Sequence, residues 1–589
     1  MSTRAPTPSR AAWREIVVLG GVAAAWLMLW VVLTLAAAAA GGHPHLNPVQ
    51  LLDPVAIAAR IRARQFPLIW RLIGAGADTN AAIFFVVLCG VLLLLGAAAV
   101  TTVLLARGGL PSSILPWRAR VMAVSRWARG RDLRRLRVRR ATPGRFVIGS
   151  TGRHLLATER ETSTLIVGPT RSGKTTSLVV PNLLEWHGPA IVTSTKNELL
   201  EITAAHRQTL GPVHVYDPTG ELADSGYQTV TWSPLIGCQD LDRAWMVAAW
   251  LCAGLQQGSS RGDNDWIHWA ESGKLLIAPL LFAAACSGRT IVDVHAWIHG
   301  FDLVTPMTLL EDLEADASHP SAHDAARAVS MMTAIDQRPE RERGTVFSTV
   351  MRIFNVFNER AVAGSAATSR FEARSFLERR GTLYLCTPRL APERIASLFV
   401  GILMTVVTEA YVVAERSPRG RLAHELGLFL DELANVIPIE ELPSLASQGA
   451  GHGVLLMSIV QDISQLRARY GNDRAHSILN NHACKVVLPG VSDPETVDLM
   501  SRLLGRSSFT DVQVSRGGDG KISRSYSVRH DSLASPDALR QLDALSAVVL
   551  YRGRPPILAR LQPWYRNKRY VAMAQRKYFR LADHVRPLA

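Results

Sequence analysis

The sequence predicts an α/β nucleotide-binding domain that carries an inserted all-α domain and follows two transmembrane helices. Three observations predict it. Gly168, Pro169, Thr170, Arg171, Ser172, Gly173, Lys174 and Thr175 form a glycine-rich turn directly behind the apolar run 164–167, with helical sequence after it. About 250 residues later a second apolar run, 427–430, ends in Asp431 and Glu432. Residues 16–42 and 79–106 carry no charged side chain for 27 and 28 positions, each longer than the roughly 20 residues needed to cross a bilayer.

From the N-terminus, the two uncharged runs predict spans at 16–40 and 81–105 joined by an external loop, 43–78. Eleven arginines between Arg107 and Arg140 put the C-terminal side in the cytoplasm, and two spans return the N-terminus there. Within the loop, residues 54–73 interleave arginines with Val55, Ile57, Ile61, Leu68, Ile69 and Leu72. They suit an interfacial amphipathic helix or a docking site for another membrane protein. The formal net charge of +16 is concentrated at this end: residues 1–145 hold 19 Arg, no Lys and 4 acids, a balance of +15, and the rest of the chain is near neutral. The body therefore has no strongly basic surface for nucleic acid, and any contact there comes from local patches. The arginine-rich run 118–140 faces anionic lipid headgroups or nucleic acid. Six cysteines lie far apart with no metal-ligand spacing, and read as reduced, buried thiols without structural zinc.

A β-rich stretch around 145–148 and 154–157 leads into the strand 164–167. Strands at 189–195 and 213–216 alternate with helices, the pattern of a parallel α/β sheet. From 237 to 369 strand signals fade, and helices are expected at 241–255, 266–286, 292–299, 324–333 and 346–357. Tryptophans 245, 250, 266, 269 and 297 fall there at helical spacing as core filler. The α/β pattern resumes with strands at 381–387, 427–430, 454–460 and 485–488 and an apolar helix at 394–415. A hairpin over 509–528 turns at 517–520, and 547–551 reads as the last strand.

The chemistry lies at strand ends. In a P-loop the backbone N–H groups cradle phosphate, Lys174 reaches the β- and γ-phosphates and the Thr175 hydroxyl holds Mg²⁺. Residues 168–176, through Thr176, are the candidate ATP-binding set. Asp431 holds Mg²⁺ and Glu432 activates the attacking water. Gln461, just beyond the strand 454–460, is placed to sense the γ-phosphate or simply opens a helix. Lys174, Asp431 and Gln461 thus share the C-terminal edge of the sheet, where such sheets bind ligands.

These segments together resemble the TraG/TraD-type coupling ATPases of type IV secretion systems. The resemblance rests on the two spans, 168–175, 428–432, 458–471, 533–539, 371–388 and 555–565, and so covers most of the chain. It implies an α/β fold with a RecA-like P-loop nucleotide-binding domain, a homo-hexamer in the bacterial inner membrane, and both termini and the ATPase domain cytoplasmic. Its implied partners are single-stranded DNA with a relaxase, secreted proteins, and components of the secretion channel. It supports Gln461 as a nucleotide sensor. Where many relatives have Asp-x-Lys-Gly-Glu, this chain has Ser194, Thr195, Lys196, Asn197 and Glu198, which leaves an acidic role at 194 without support. The domains expected are 1–110 membrane, 111–145 basic juxtamembrane, 146–236 and 370–589 nucleotide-binding, and 237–369 all-α. An FtsK-type translocase or a non-hydrolysing membrane scaffold are the alternative classes. The topology is testable: alkaline phosphatase fused after residue 60 should be active, whereas fusions after residue 115 should be inactive.

Overall fold

The computed structural model describes residues 125–574 apart from 195–196, 223–226, 228, 254–263, 387–391 and 517–521. The expected spans at 16–40 and 81–105 and the external loop 43–78 lie outside the described residues. The chain divides into two compact units, Met1–Ala123 and Val124–Ala589, and the second is the one described.

Its strands are β1 (Arg137–Val138), β2 (Val147–Thr151), β3 (His154–Ala157), β4 (Thr164–Val167), β5 (Ala190–Ser194), β6 (Val213–Tyr216) and β7 (Thr382–Cys386). They continue with β8 (Leu426–Leu430), β9 (Val454–Val460), β10 (Cys484–Val487), β11 (Arg506–Arg516), β12 (Ile522–Ser532), β13 (Ser546–Tyr551) and β14 (Ile557–Arg560). Twelve form one sheet in the order β1-β3-β2-β14-β13-β10-β4-β9-β8-β5-β7-β6, and β11 and β12 pair separately as an antiparallel ribbon. From β10 to β6 every pairing is parallel. Strands β4, β8 and β9 are buried along their whole length. That is why they read as unbroken apolar runs instead of alternating ones.

The purely parallel sheet expected from sequence is corrected on one side. There β13, β14, β2, β3 and β1 add by antiparallel pairing. Nor is 547–551 the last strand, because β14 follows it. A second correction concerns residues 125–145, expected as part of a separate basic belt. They fold with the body: Leu133 and Leu136 are buried, Arg126 pairs with Asp132 at 2.7 Å, and β1 lies against β3.

Between Leu241 and Ala367 the described residues contain helices and no strands: Leu241–Ala253, Asn264–Cys286, Ile291–His299, Val304–Ala315, Ala322–Asp336, Glu340–Phe354 and Arg360–Ala367. Helix Ile291–His299 opens on a capping box of Thr290 and Asp293, which satisfies two N–H groups that the first turn leaves unpaired. This helical region is not self-contained. Helix Leu241–Ala253 packs on helix Ala396–Glu415, and one apolar cluster joins Leu251, Ile277 and Phe347 to Leu165 and Val167 of β4.

Among the described residues, Ala396–Glu415 is the one helix long and apolar enough to cross a membrane. It is a core helix here, buried continuously from Ala396 to Val407. Gly401 sits under the fully buried indole of Trp232, and a Cβ at 401 would collide with that ring. Gly364, in helix Arg360–Ala367, has nothing within 4 Å of the corresponding point. Gly401→Ala should therefore lower unfolding stability by about 1–3 kcal/mol, whereas Gly364→Ala should raise it by about 0.5–1 kcal/mol. Urea midpoints at unchanged slope distinguish the two.

Candidate active site

Strand β9 lies between β4 and β8; β4 ends level with β9, and β8 ends two residues short of it. Val167 pairs with Val460, and Leu430 with Ser458. All three strands run in the same direction, so Gly168, Gln461 and Asp431 leave the same edge of the sheet, Gly168 level with Gln461 and Asp431 level with Ile459.

The P-loop packs tightly against that edge. Gly168 donates its N–H to Val460 O at 3.1 Å, and a Cβ there would lie 2.8 Å from both Leu488 Cβ and Ser172 Oγ. Gly173 has φ +88°, open to glycine at little cost. Arg171 takes the same left-handed region at φ 63° without that freedom. Thr170 and Arg171 are exposed, and Ser172 and Lys174 are buried. Ser172 Oγ donates to Pro169 O at 2.8 Å. Lys174 Nζ donates to Gly168 O at 2.8 Å and to Pro169 O at 3.3 Å, so the ammonium is held inside the loop.

The expected helix begins as a π-helical turn, Thr175–Val179, before the α-helix Val180–Glu185. Such turns are frequent at functional sites. Thr176 Oγ1 lies 3.5 Å from Gly173 O. The buried Asn182 anchors the helix, accepting from Val147 N at 2.6 Å and donating to Val147 O and Leu178 O.

The two acids meet the loop from β8. Thr175 Oγ1 donates to Asp431 Oδ2 at 3.3 Å, Glu432 N donates to Asp431 Oδ1 at 3.1 Å, and Thr193 Oγ1 of β5 donates to Asp431 O at 2.9 Å. Burial pushes the Asp431 carboxyl above its ordinary pKa while Lys174 pulls it down. Burial lowers the Lys174 ammonium while Asp431 and Glu432 oppose the shift. Charge is costly in this enclosure, and each group is stabilised chiefly by its opposite. A hydroxyl and a carboxylate oxygen at this separation are hard donors of the kind Mg²⁺ takes, so the residues present fit that ion.

Gln461 N donates to Gln465 Oε1 at 3.2 Å, and Asp462 caps the following helix, Ile463–Asn481, by accepting from Gln465 N at 2.7 Å. That helix is much longer than the 465–470 stretch expected and is broken at Gly471, φ 76°. Lys196, at the end of the strand expected over 189–195, lies outside the described residues. Arg374, Arg394 and Arg467 are each paired within the chain, to Glu409, Glu359 and Glu495. Sequence reasoning missed Thr193 and Asn182; a polar residue inside each apolar run was the available signal.

A family model described as Type IV secretory system Conjugative DNA transfer matches residues 130–584. Protein VirD4 of Rhizobium radiobacter is 24% identical over 422 residues, covering 70% of this chain and 58% of that protein. The conjugal transfer protein TraG of Escherichia coli is 24% identical over 469 residues, covering 72% and 70%. The unbound monoclinic form of the bacterial conjugative coupling protein TrwBdeltaN70 superposes with a TM-score of 0.55 at 18% identity, over 75% of this chain and 93% of that one. TrwB in complex with ADP and Mg²⁺ gives 0.54, again at 18%, over 75% and 94%. The chain thus spans 58% of the length of the VirD4 relative, and the structural likeness establishes a shared α/β fold with a large mixed sheet.

Glu432 itself is in left-handed backbone, φ 51°, ψ 42°, which costs a side chain about 1 kcal/mol. Glu432→Gly should unfold at a urea concentration no lower than the parent protein, because glycine takes this conformation without that cost.

Proposed function

The chain belongs to the type IV secretory system conjugative DNA transfer family, and on that premise we propose that it is a membrane-anchored coupling ATPase. In this reading it brings relaxase-bound single-stranded DNA, secreted proteins or both to a type IV secretion channel. Spans at 16–40 and 81–105 hold it in the inner membrane beside anionic lipid, and it works as a homo-hexamer with the body in the cytoplasm. The observation that carries the reading is the contact of Thr175 with Asp431 at 3.3 Å, with Lys174 buried beside them and Glu432 next in the chain. TrwB, which shares the fold, was solved with an ATP analogue and with ADP and Mg²⁺.

ATP lies with its phosphates against residues 168–176 in this proposal. The loop N–H groups and the first helical turn present partial positive charge to the phosphate oxygens. Lys174 releases its two loop carbonyls and turns its ammonium to the β- and γ-phosphates. Thr175 Oγ1 and the Asp431 carboxylate would hold Mg²⁺, whose charge would offset that of the phosphates. Glu432 is the N-cap of the short helix Leu433–Val436 and its carbonyl accepts from Val436 N at 3.0 Å, while its carboxylate accepts the proton of the attacking water. Gln461, level with Gly168 on the neighbouring strand, hydrogen-bonds the γ-phosphate and passes its presence to helix Ile463–Asn481 through Gln465. An arginine from the adjacent protomer completes the site. The in-chain ion pairs of Arg374 and Arg394 are largely exposed, and exposed pairs are worth only about 0–1 kcal/mol, so such an arginine is readily exchanged between partners.

Lys174→Ala should abolish both ATP binding and substrate transfer. Glu432→Gln should keep ATP affinity while lowering kcat by about 10²-fold or more. Equilibrium binding and phosphate release measured on the two variants separate the roles, and hydrolysis at the parent rate by Glu432→Gln would remove Glu432 as the base. Crosslinking in cells then tests the coupling role: relaxase and single-stranded DNA, or secreted proteins, should be recovered with the parent chain and lost with Lys174→Ala.

A further inference from the structure

A second cavity lies away from the nucleotide edge, and the hydrolytic reading does not use it. It is bounded by helices Ile463–Asn481 and Pro494–Leu504 and by β10 and β13, with a volume of about 560 Å³. Sites for small organic ligands fall at roughly 300–1,000 Å³. Leu479, Leu499, Leu503 and Leu550 give it apolar walls, Lys485, Arg552 and His476 give it positive charge, and none of its lining residues is acidic.

Lys485 is central to its chemistry. It is directly opposite Leu550 across the β10–β13 pair and half-buried, and its ammonium donates to His482 O at 2.8 Å. An ammonium carries three donors, and burial already lowers its pKa. Such a cation, in apolar surroundings with no acid in the lining, favours an anion. Arg552 adds a second cation: its guanidinium donates to Thr162 Oγ1 at 3.1 Å and pairs with Glu159, outside the lining, at 3.4 Å, leaving 46% of its side-chain surface exposed to a ligand. Leu503, at the mouth, leaves 48% of its surface in solvent, which suits an apolar lip with a ligand to cover. The chain has 58 Arg and only 7 Lys, and an ammonium, more strongly hydrated than a guanidinium, gains more from an anion when it is partly desolvated.

We propose that this cavity binds an anionic amphiphile, a carboxylate or phosphate head on an apolar chain, with the head on Lys485 and Arg552 and the apolar part along Leu479, Leu499, Leu503 and Leu550. Charge complementarity fixes the head, and the leucine walls fix the body. The reading is independent of the nucleotide site.

The test uses the full chain in nanodiscs of zwitterionic phosphatidylcholine, with three diazirine-tagged probes: palmitate, phosphatidylglycerol tagged on an acyl chain, and hexadecanol as the neutral control. Peptide mass spectrometry should place adducts of an anionic probe on residues 476–485 or 499–503, about tenfold above hexadecanol, the ratio expected for one charge-assisted contact. The stronger of the two anionic probes then identifies whether the head is a carboxylate or a phosphate. Lys485→Met should remove that excess and Lys485→Arg should retain it, which separates charge from folding. If both Lys485 variants fail to fold, Leu503→Gln at the exposed lip should reduce labelling in the same way. Equal labelling by hexadecanol, labelling indifferent to these substitutions in a folded protein, or no adduct on either peptide would overturn the proposal. In the last case, a change in oligomer size caused by Leu503→Gln would assign the cavity to a second copy of the chain.

Discussion

The hydrogen bond from Thr175 to Asp431 joins residues 256 positions apart in the chain, and the order of the sheet makes it available. With β9 seated between β4 and β8, the loop leaving β4 has to lean across one strand to reach the acid leaving β8. Gly168 starts that lean by bonding back to Val460 O, and Thr193 of β5 steadies the acid from its other side by holding Asp431 O. Four parallel strands therefore fix one hydroxyl–carboxylate pair. The long helical excursion between β6 and β7 leaves this arrangement intact because both strands belong to the far side of β5, where their separation in sequence costs no contact at the site.

Much of this was legible because buried parallel strands write themselves as continuous apolar runs. The segments 164–167, 213–216 and 454–460 were read at the residues where β4, β6 and β9 lie, and Lys174, Asp431 and Gln461 do stand at one edge. The antiparallel side was hidden for a physical reason. β14 has only four residues, behind Pro555 and Pro556, and its burial alternates, so its identity as a strand comes from pairing with β13 and not from local preference. The π-turn at Thr175 was equally silent, since a change of helical register leaves no mark on composition.

Arg207 shows the same limit from the polar side. In the last turn of helix Glu198–Gln208 a cation reads as a solvated partner of the helix dipole. Instead it is fully buried, with its pKa brought down to about 10 by desolvation. Its guanidinium donates to Thr382 Oγ1 at 2.8 Å, to Gly188 O at 2.7 Å and to Trp186 O. It joins the end of the P-loop helix to β7 with neutral acceptors alone. A fork of donors matched to carbonyls needs no carboxylate, and nothing in sequence spacing announces that such carbonyls will converge.

The strap formed by residues 125–136 has a mechanical meaning. Ser125 bonds through N and Oγ to Arg506 O and Leu504 O, Ala128 N to Pro556 O, and Arg554 reaches back to Asp132 O at 2.9 Å. A load entering the body at Ser125 would therefore be shared between two late segments of the chain, 504–506 and 554–556, before it reached β1. From β1 it must cross β3, β2, β14, β13 and β10 to arrive at β4. Tension applied at Ser125 would thus load the antiparallel strands in shear before it reached the loop that follows β4.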